Sequence, residues 1–395
     1  MSLRPLTLVG ILLSIVSGLS LGILIHLKLD QPPQVGATDA VTTVLRQVAE
    51  NYVEQVSEEE LARHAIEGMM RGLDDHSNYL DRTAYQSLQE STTGRFGGIG
   101  IELGLVDGYF TVIAPMDDTP AARAGIEPGD RILRVNDEPV KGIKMNTLVE
   151  RLRGEPGSEV VLGVKTGDAP SRDISLNRAV IRVASVRSRL LEPGYGYLRI
   201  SQFQTRTGSD VAKHLDKLTE AEGGPLQGLV IDLRNNPGGT LQSSVEVADH
   251  FLQQGTIVST AGRLASAESR YAATRGDKLA AAPIVVLINE GSASASEIVA
   301  ASLQDHTRAT IMGSTSYGKG SVQSLLPLGS KKALKLTTAY YYSPNGNAIH
   351  GVGVTPDLPL SGDEESILDE AVSVLKNGQQ SPLARAEIES TNVQD

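Results

Sequence analysis

The chain has 395 residues, 36 Lys and Arg against 47 Asp and Glu for a net charge of −11, and neither Cys nor Trp. That acidic balance argues against a nucleic-acid role, because affinity for phosphate comes from clustered Lys and Arg. Without Cys there is no thiol nucleophile, Cys zinc site, iron–sulfur cluster or disulfide framework, and at roughly 150 residues per domain the length implies two or three domains.

Arg4 precedes an apolar run from Leu6 to Leu27, broken by Gly, Ser, Thr and His26. At about 1.5 Å per residue the run spans roughly 30 Å, enough to cross a bilayer. A secretory h-region is shorter, about 7 to 15 residues, and ends at an A-x-A-like site. The nearest such site, Val35-Gly36-Ala37, lies well beyond the run and behind Pro32-Pro33. Residues 1–36 are therefore read as an uncleaved signal anchor and linker, with a cleaved signal peptide as the alternative. Arg4 places the start on the cytoplasmic side, although Lys28 blunts the asymmetry. The body is expected to be exported, on the periplasmic or extracytoplasmic face, held to the membrane by residues 6–27.

Residues 37–92 read as helical. Val44, Leu45, Val48 and Tyr52 recur at helical spacing; Ser57 and Glu60 have capping-box spacing before Leu61, Ile66, Met69, Met70 and Leu73. The apolar faces offer a surface for a homo-oligomer.

Residues 93–180 change texture to short strands and turns. Strands are expected at Tyr109–Ile113, Arg131–Val135 and Glu159–Lys165, with helices at Thr119–Gly125 and Met145–Leu152. The cluster Gly98-Ile99-Gly100-Ile101 lets successive backbone N–H groups form a nest for a terminal carboxylate, and the following strand can accept a peptide by β-augmentation. A tight turn is the plain alternative. A dinucleotide-binding reading fails, since Leu103 occupies the third glycine position and a strand follows where a helix is needed. With the later AGIEPGDRILRVND, the stretch resembles a PDZ domain.

From Tyr195 onward apolar strands (197–203, 228–233, 283–289) alternate with helices (209–218, 241–253), which implies parallel strands with crossover helices and sites at the strands' carboxyl ends. Asp363–Lys376 reads as a final helix, and the polar remainder as disordered.

Two strand ends carry chemistry. Leu229–Leu233 runs into Arg234-Asn235-Asn236-Pro237-Gly238-Gly239, where glycines allow close backbone approach. Ile284–Ile288 runs into Asn289-Glu290-Gly291-Ser292-Ala293-Ser294-Ala295-Ser296-Glu297 at the start of a helix, exposing a hydroxyl beside the helix's positive end. None of the seven His lies in a motif with an evident orienting carboxylate, and no Gly-x-Ser-x-Gly elbow occurs. Lys319, between Gly318 and Gly320 before the strand Val322–Leu326, is the better base, because an amine among small residues loses hydration and its pKa falls. Two other motifs around it fail. The P-loop pattern from Gly313 to Lys319 is followed by Gly320 where Ser or Thr should bind magnesium. Ser316-x-x-Lys319 of penicillin-binding enzymes has its Lys165-Thr166-Gly167 counterpart upstream, in the wrong order.

The segments IDLRNNPGG, GSASASEIVA, GSTSYGKGSVQ and YYYSPNGNAIHGVGVTPD resemble the C-terminal processing peptidases, the tail-specific Ser-Lys proteases of peptidase family S41, over Asp39 to about Leu360. The resemblance implies an α/β protease core, a mixed sheet with flanking helices at 181–361, carrying an inserted mainly-β PDZ domain at 93–180 and a helical N-terminal segment. The remaining residues, 362–395, follow as C-terminal helix and tail.

The family motif falls on Ser294 as nucleophile, Lys319 as general base and Gln323 as the residue orienting it; strand alternation puts the last two on one face. Ala295 with Gly238 or Gly239 would form the oxyanion hole. Gly98 to Ile101 would bind the substrate's C-terminus. Neither metal nor cofactor is called for. The expected partners are proteins or peptides with exposed apolar C-termini, and the resemblance admits an adaptor protein. Asp305, sometimes treated as a relay member, lies about 16 Å along the same helix from Ser294 and is read as a helix-end acid. Glu297 is read as a cap. Arg153, in the turn after the helix Met145–Leu152, is a candidate regulatory contact between PDZ domain and protease, with a solvated arginine as the alternative. The rival class is an inactive PDZ scaffold that binds peptides, against which intact Ser294, Lys319 and Gln323 argue.

Overall fold

The structure, a computed structural model, describes residues 36–377 apart from 275 and 330. The apolar run at 6–27 and the polar tail lie outside the described residues. Among those described, no helix is long and apolar enough to cross a membrane. The described residues up to Tyr79 form one compact unit and those from Leu80 onward a second.

The first unit contains helices Ala37–Asn51 and Glu58–Arg71. Ser57 starts the second helix, its hydroxyl accepting the Glu60 amide at 3.2 Å, and three glutamates sit at the helix's positive end. Val41, Val44, Met69 and Leu73 of this unit are exposed.

The second unit opens with helix Arg82–Thr93, capped by the Asp81 carboxylate on the Ala84 amide at 2.8 Å. Strand Arg95–Gly98 then leads into an antiparallel sheet ordered 101–106, 109–115, 131–135, 159–165 and 172–177. The chain leaves through Ala179–Arg182, which pairs with Arg95–Gly98, so the β-rich insertion hangs from the body by two adjacent strands. The strands expected at 131–135 and 159–165 and the helix at 145–152 stand at those residues. Phe110, Val112, Ile132, Leu148 and Leu162 fill the insertion's core.

The body is built on a sheet whose strands run in chain order: 186–192, 195–200, 228–232, 284–288, 309–313 and 358–359. The first pair is antiparallel and the rest are parallel. Strands 228–232 and 284–288 are buried at every residue, because helices cover both faces and leave no polar side to alternate with. Leu229, Ile231, Val286 and Ile288 face helices 207–222, 241–249 and 295–305. Val230, Val285 and Leu287 face the final helix, Glu364–Asn377. Each fully buried aliphatic side chain here contributes about 1.5–3 kcal/mol.

A second, antiparallel sheet had no counterpart in the sequence reading beyond its strand at 321–327. Strand 333–342 lies between 256–262 and 321–327, and 269–272 pairs with 256–262.

Candidate active site

The parallel strands deliver two turns to one edge of the sheet. Three serines lie in the second turn, and their hydroxyls are used differently. Ser292 Oγ donates to the Leu233 carbonyl at 2.8 Å and accepts the Asn289 amide at 2.9 Å. Ser296 Oγ donates to the Asn236 carbonyl at 2.9 Å. Both are fully buried and serve as struts. Ser294 makes no such tie to a carbonyl.

Ser294 stands immediately before helix Ala295–Asp305 with φ 56° and ψ −112°. A non-glycine residue there stores about 1–3 kcal/mol of strain, which persists only where surrounding contacts impose it. Here the Ser294 amide donates to Glu297 Oε2 at 2.7 Å.

Glu297 does more than cap. Its side chain is fully buried and accepts four hydrogen bonds. Oε1 takes the Ser316 hydroxyl and the Gly318 amide, each at 2.6 Å; Oε2 takes the Lys319 amide at 2.9 Å besides that of Ser294. Burial pushes its pKa up, and the donors pull it back toward the ionised form they all favour. The sequence reading missed this second role, and its signal was a carboxylate in a helix start otherwise built of small residues.

Lys319 sits in the loop just before strand Ser321–Pro327. Burial holds its amine below the ordinary 10.5, Lys335 pushes the same way, and Glu297 opposes both. The Gln323 amide donates to Ser321 Oγ at 2.9 Å and reaches Thr337 Oγ1 at 3.5 Å; the register shift beside it, between Val322 and Gln323, puts the extra residue in the partner strand, at Thr338.

The first turn faces Ser294. A Cβ on Gly238 would lie 2.7 Å from the Ala293 carbonyl and 2.8 Å from Ser294 Cβ; one on Gly239 would lie 2.0 Å from the Phe203 carbonyl. Both positions have positive φ, so they require glycine on two counts. The Gly238 amide donates to Asn236 Oδ1 at 2.9 Å, whereas those of Gly239 and Ala295 have no acceptor among the described residues. Asn236, absent from the expected site, is fully buried and also donates to the Ile200 carbonyl at 2.9 Å. Behind the turn, Asp232 receives Tyr197 and a bidentate Arg234, and these donors hold its carboxyl below the usual range against the cost of burial.

In the insertion, Ile99 is buried and the Gly100 carbonyl accepts the Met116 amide and the Thr119 hydroxyl, which fixes the Gly98–Ile101 turn. Strand Ile101–Val106 after it is an edge strand, with Ile101, Leu103 and Met145 packed on the core beside it. Its open edge is the feature that β-augmentation requires.

Arg153 lies at the end of the helix Met145–Leu152. Its guanidinium pairs with Glu90 at 3.1 Å and lies 4.6 Å over the Phe96 ring. Asp305 accepts from Ser343 Oγ at 2.5 Å and the Asn345 amide at 2.9 Å, and so anchors a turn at the end of its helix. His306 bonds the Thr256 carbonyl, and His350 stacks on Tyr340.

Family models match three stretches: peptidase family S41 over residues 194–360, a PDZ domain over 111–166, and the N-terminal domain of the activating protease CtpB over 29–84. The chain is 44% identical to a carboxy-terminal-processing protease of Bartonella bacilliformis, over 80% of this chain and 73% of that protein. It is 35% identical to carboxy-terminal processing protease CtpB of Bacillus subtilis, over 82% and 68%. A Bacteroides fragilis protein assigned to the S41 proteases shares the fold at 16% identity and a TM-score of 0.50, over 92% of this chain and all of that one.

Proposed function

Because the chain belongs to the carboxy-terminal-processing proteases of peptidase family S41, we propose that it cleaves proteins near their C-termini through an acyl-enzyme on Ser294, with Lys319 as general base. The observation that carries this reading is the shared carboxylate oxygen of Glu297, on which the amides of both residues end. That sharing brings nucleophile and base together, while Ser292 and Ser296 are spent on structure.

Neutral Lys319 takes the Ser294 proton as Oγ attacks the peptide carbonyl, then returns it to the leaving amine. The oxyanion falls to the amides of Ala295 and Gly239, which stand without acceptors. Water, deprotonated by Lys319, adds to the ester, and expulsion of Oγ frees the enzyme. In the described arrangement the Gln323 amide is held by Ser321 and Thr337, so productive alignment includes its turning to Lys319.

The edge strand Ile101–Val106 and the Gly98–Ile101 turn would take the substrate's apolar C-terminus, and the PDZ domain would thereby gate cleavage. The working site is the extracytoplasmic face, with residues 6–27 at the membrane and the exposed apolar side chains of the first two helices forming a surface for self-association. The test is turnover of an unfolded protein ending in apolar residues by wild type, Ser294→Ala and Lys319→Ala. Both variants should lose cleavage by at least about a thousandfold; wild-type rates in both would leave an inactive peptide-binding scaffold as the reading.

A further inference from the structure

We propose that the PDZ insertion carries a second specificity pocket, away from the carboxylate turn, that takes a large apolar side chain of the substrate four residues before its last. The pocket presupposes the reading above, in which strand Ile101–Val106 and the Gly98–Ile101 turn hold the substrate's C-terminus, and it sets what is preferred upstream of that terminus.

Strand Ile101–Val106 pairs with Tyr109–Pro115 along one side, and its other edge is open. The register shift in that ladder, between Glu102 and Leu103, puts the extra residue at Ile113 of the partner strand, so alternation along 101–106 is unbroken. Ile101, Leu103 and Leu105 therefore share one face. Ile101 and Leu103 pack on the insertion's core, as does Met145 at the start of the helix Met145–Leu152. Leu105 is different, with 64% of its surface exposed. It lines a cavity of about 390 Å³ together with Phe110, Ile132, Val140 and Ile143. Phe110 stands opposite Leu105 in the ladder, and Val140 to Ile143 belong to the loop before the helix. The cavity thus continues the groove between strand and helix past Leu103 and Met145.

A peptide added to the open edge runs antiparallel to the strand, with its terminal carboxylate in the Gly98–Ile101 turn. Its last residue then lies opposite Ile101, and the second and fourth residues before the last lie opposite Leu103 and Leu105. At about 3.4 Å per residue those four steps cover roughly 14 Å. Side chains directly opposite in an antiparallel pair stand on the same face, so the side chain opposite Leu105 is presented to the cavity. The first and third residues before the last present theirs to the other face. The named walls are apolar, so a Leu, Met or Phe at the fourth position removes both itself and Leu105 from water, whereas Ala or Ser leaves them wet. Such an occupant also covers an apolar side chain on an unpaired edge, a combination that folded chains ordinarily avoid.

The test measures binding of decapeptides with one apolar C-terminal sequence to the full chain carrying Ser294→Ala, so that bound peptide stays intact. Leu in place of Ala at the fourth residue before the last should tighten binding about tenfold. The same exchange at the third residue before the last should change it less than twofold. Adding Leu105→Ser, at a site already exposed, should reduce the tenfold preference to about twofold. Equal affinities for the Leu and Ala peptides, with C-terminal amidation still weakening both, overturn the pocket and leave the PDZ reading standing. Affinities indifferent to amidation overturn the PDZ reading and the pocket with it. A Leu preference that survives intact in Leu105→Ser also overturns the pocket. If that variant instead shifts the oligomeric state of the chain, the face belongs to a second copy.

Discussion

The backbone amides of Ser294 and Lys319 end on one carboxylate oxygen, Glu297 Oε2, at 2.7 and 2.9 Å. One buried side chain therefore ties the backbone of the proposed nucleophile to that of the proposed base and holds the positive-φ backbone of Ser294. The consequence is a sharp dependence on the carboxylate's ability to accept. In Glu297→Gln the amide end brings two donors to where only donors already point. At least one buried N–H or O–H is then left unsatisfied, at about 1–3 kcal/mol for each. The variant should melt several degrees lower, and kcat/KM should fall about a hundredfold as the two groups lose register. Wild-type kcat/KM with a lowered melting temperature would show that Glu297 stabilises the fold without positioning the pair.

Protonation of Lys319 gives a pH dependence with a definite sign. In the proposed mechanism the base is the neutral amine, and burial lowers its pKa from 10.5. Activity should therefore appear as pH rises through that lowered pKa and disappear as pH falls below it. Lys335 contributes to the lowering by like-charge repulsion. Lys335→Gln removes that repulsion, so the limb of kcat/KM against pH should move to higher pH. A limb that stays in place or moves down would exclude Lys319 as the titrating base.

Gly239 offers a test of the oxyanion site. Its amide has no acceptor, and a Cβ would meet the Phe203 carbonyl at 2.0 Å. Gly239→Ala must displace the turn, and losing one oxyanion donor typically costs 10²–10³ in kcat. Substrate binding through the PDZ edge should be unaffected, which separates this loss from unfolding. Activity within tenfold of wild type would move the oxyanion elsewhere.

The parts legible in the sequence were those whose signal is local. Strands 228–232 and 284–288 announce themselves as continuous apolar runs ending in small residues, and such an end is where a nucleophile can be exposed. The lysine was legible because glycines flank it. What remained hidden depends on distant partners. Glu297 reads as a cap from its spacing to Ser294, but Ser316, Gly318 and Lys319 lie 19 to 22 residues further on. The Tyr341 amide meets the Gly320 carbonyl, next to Lys319, through the register of a sheet whose strand 333–342 mixes Thr and Tyr among apolar residues and shows no clean alternation. Gln323 likewise meets Thr337 of the paired strand, a contact that counting residues from Lys319 does not reveal.

Arg153 links the PDZ insertion to the helix Arg82–Thr93 through Glu90, and to the strand Arg95–Gly98 through Phe96. In the last turn of that helix the Thr92 carbonyl accepts the Thr205 amide at 2.9 Å, and two residues before Thr205 the Phe203 amide donates to the Gly238 carbonyl at 2.9 Å. A short run of backbone contacts thus joins the insertion's hinge to the glycine turn beside Ser294. The ion pair is partly exposed and worth roughly 0.5 kcal/mol, with about as much again from the cation–π contact. Glu90→Ala should therefore raise basal cleavage of a short peptide that does not reach the PDZ edge by about two- to fivefold. The same variant should narrow the difference between a substrate with a free C-terminal carboxylate and its amidated form. If neither quantity moves, Arg153 is a surface arginine and control of the site runs through other contacts.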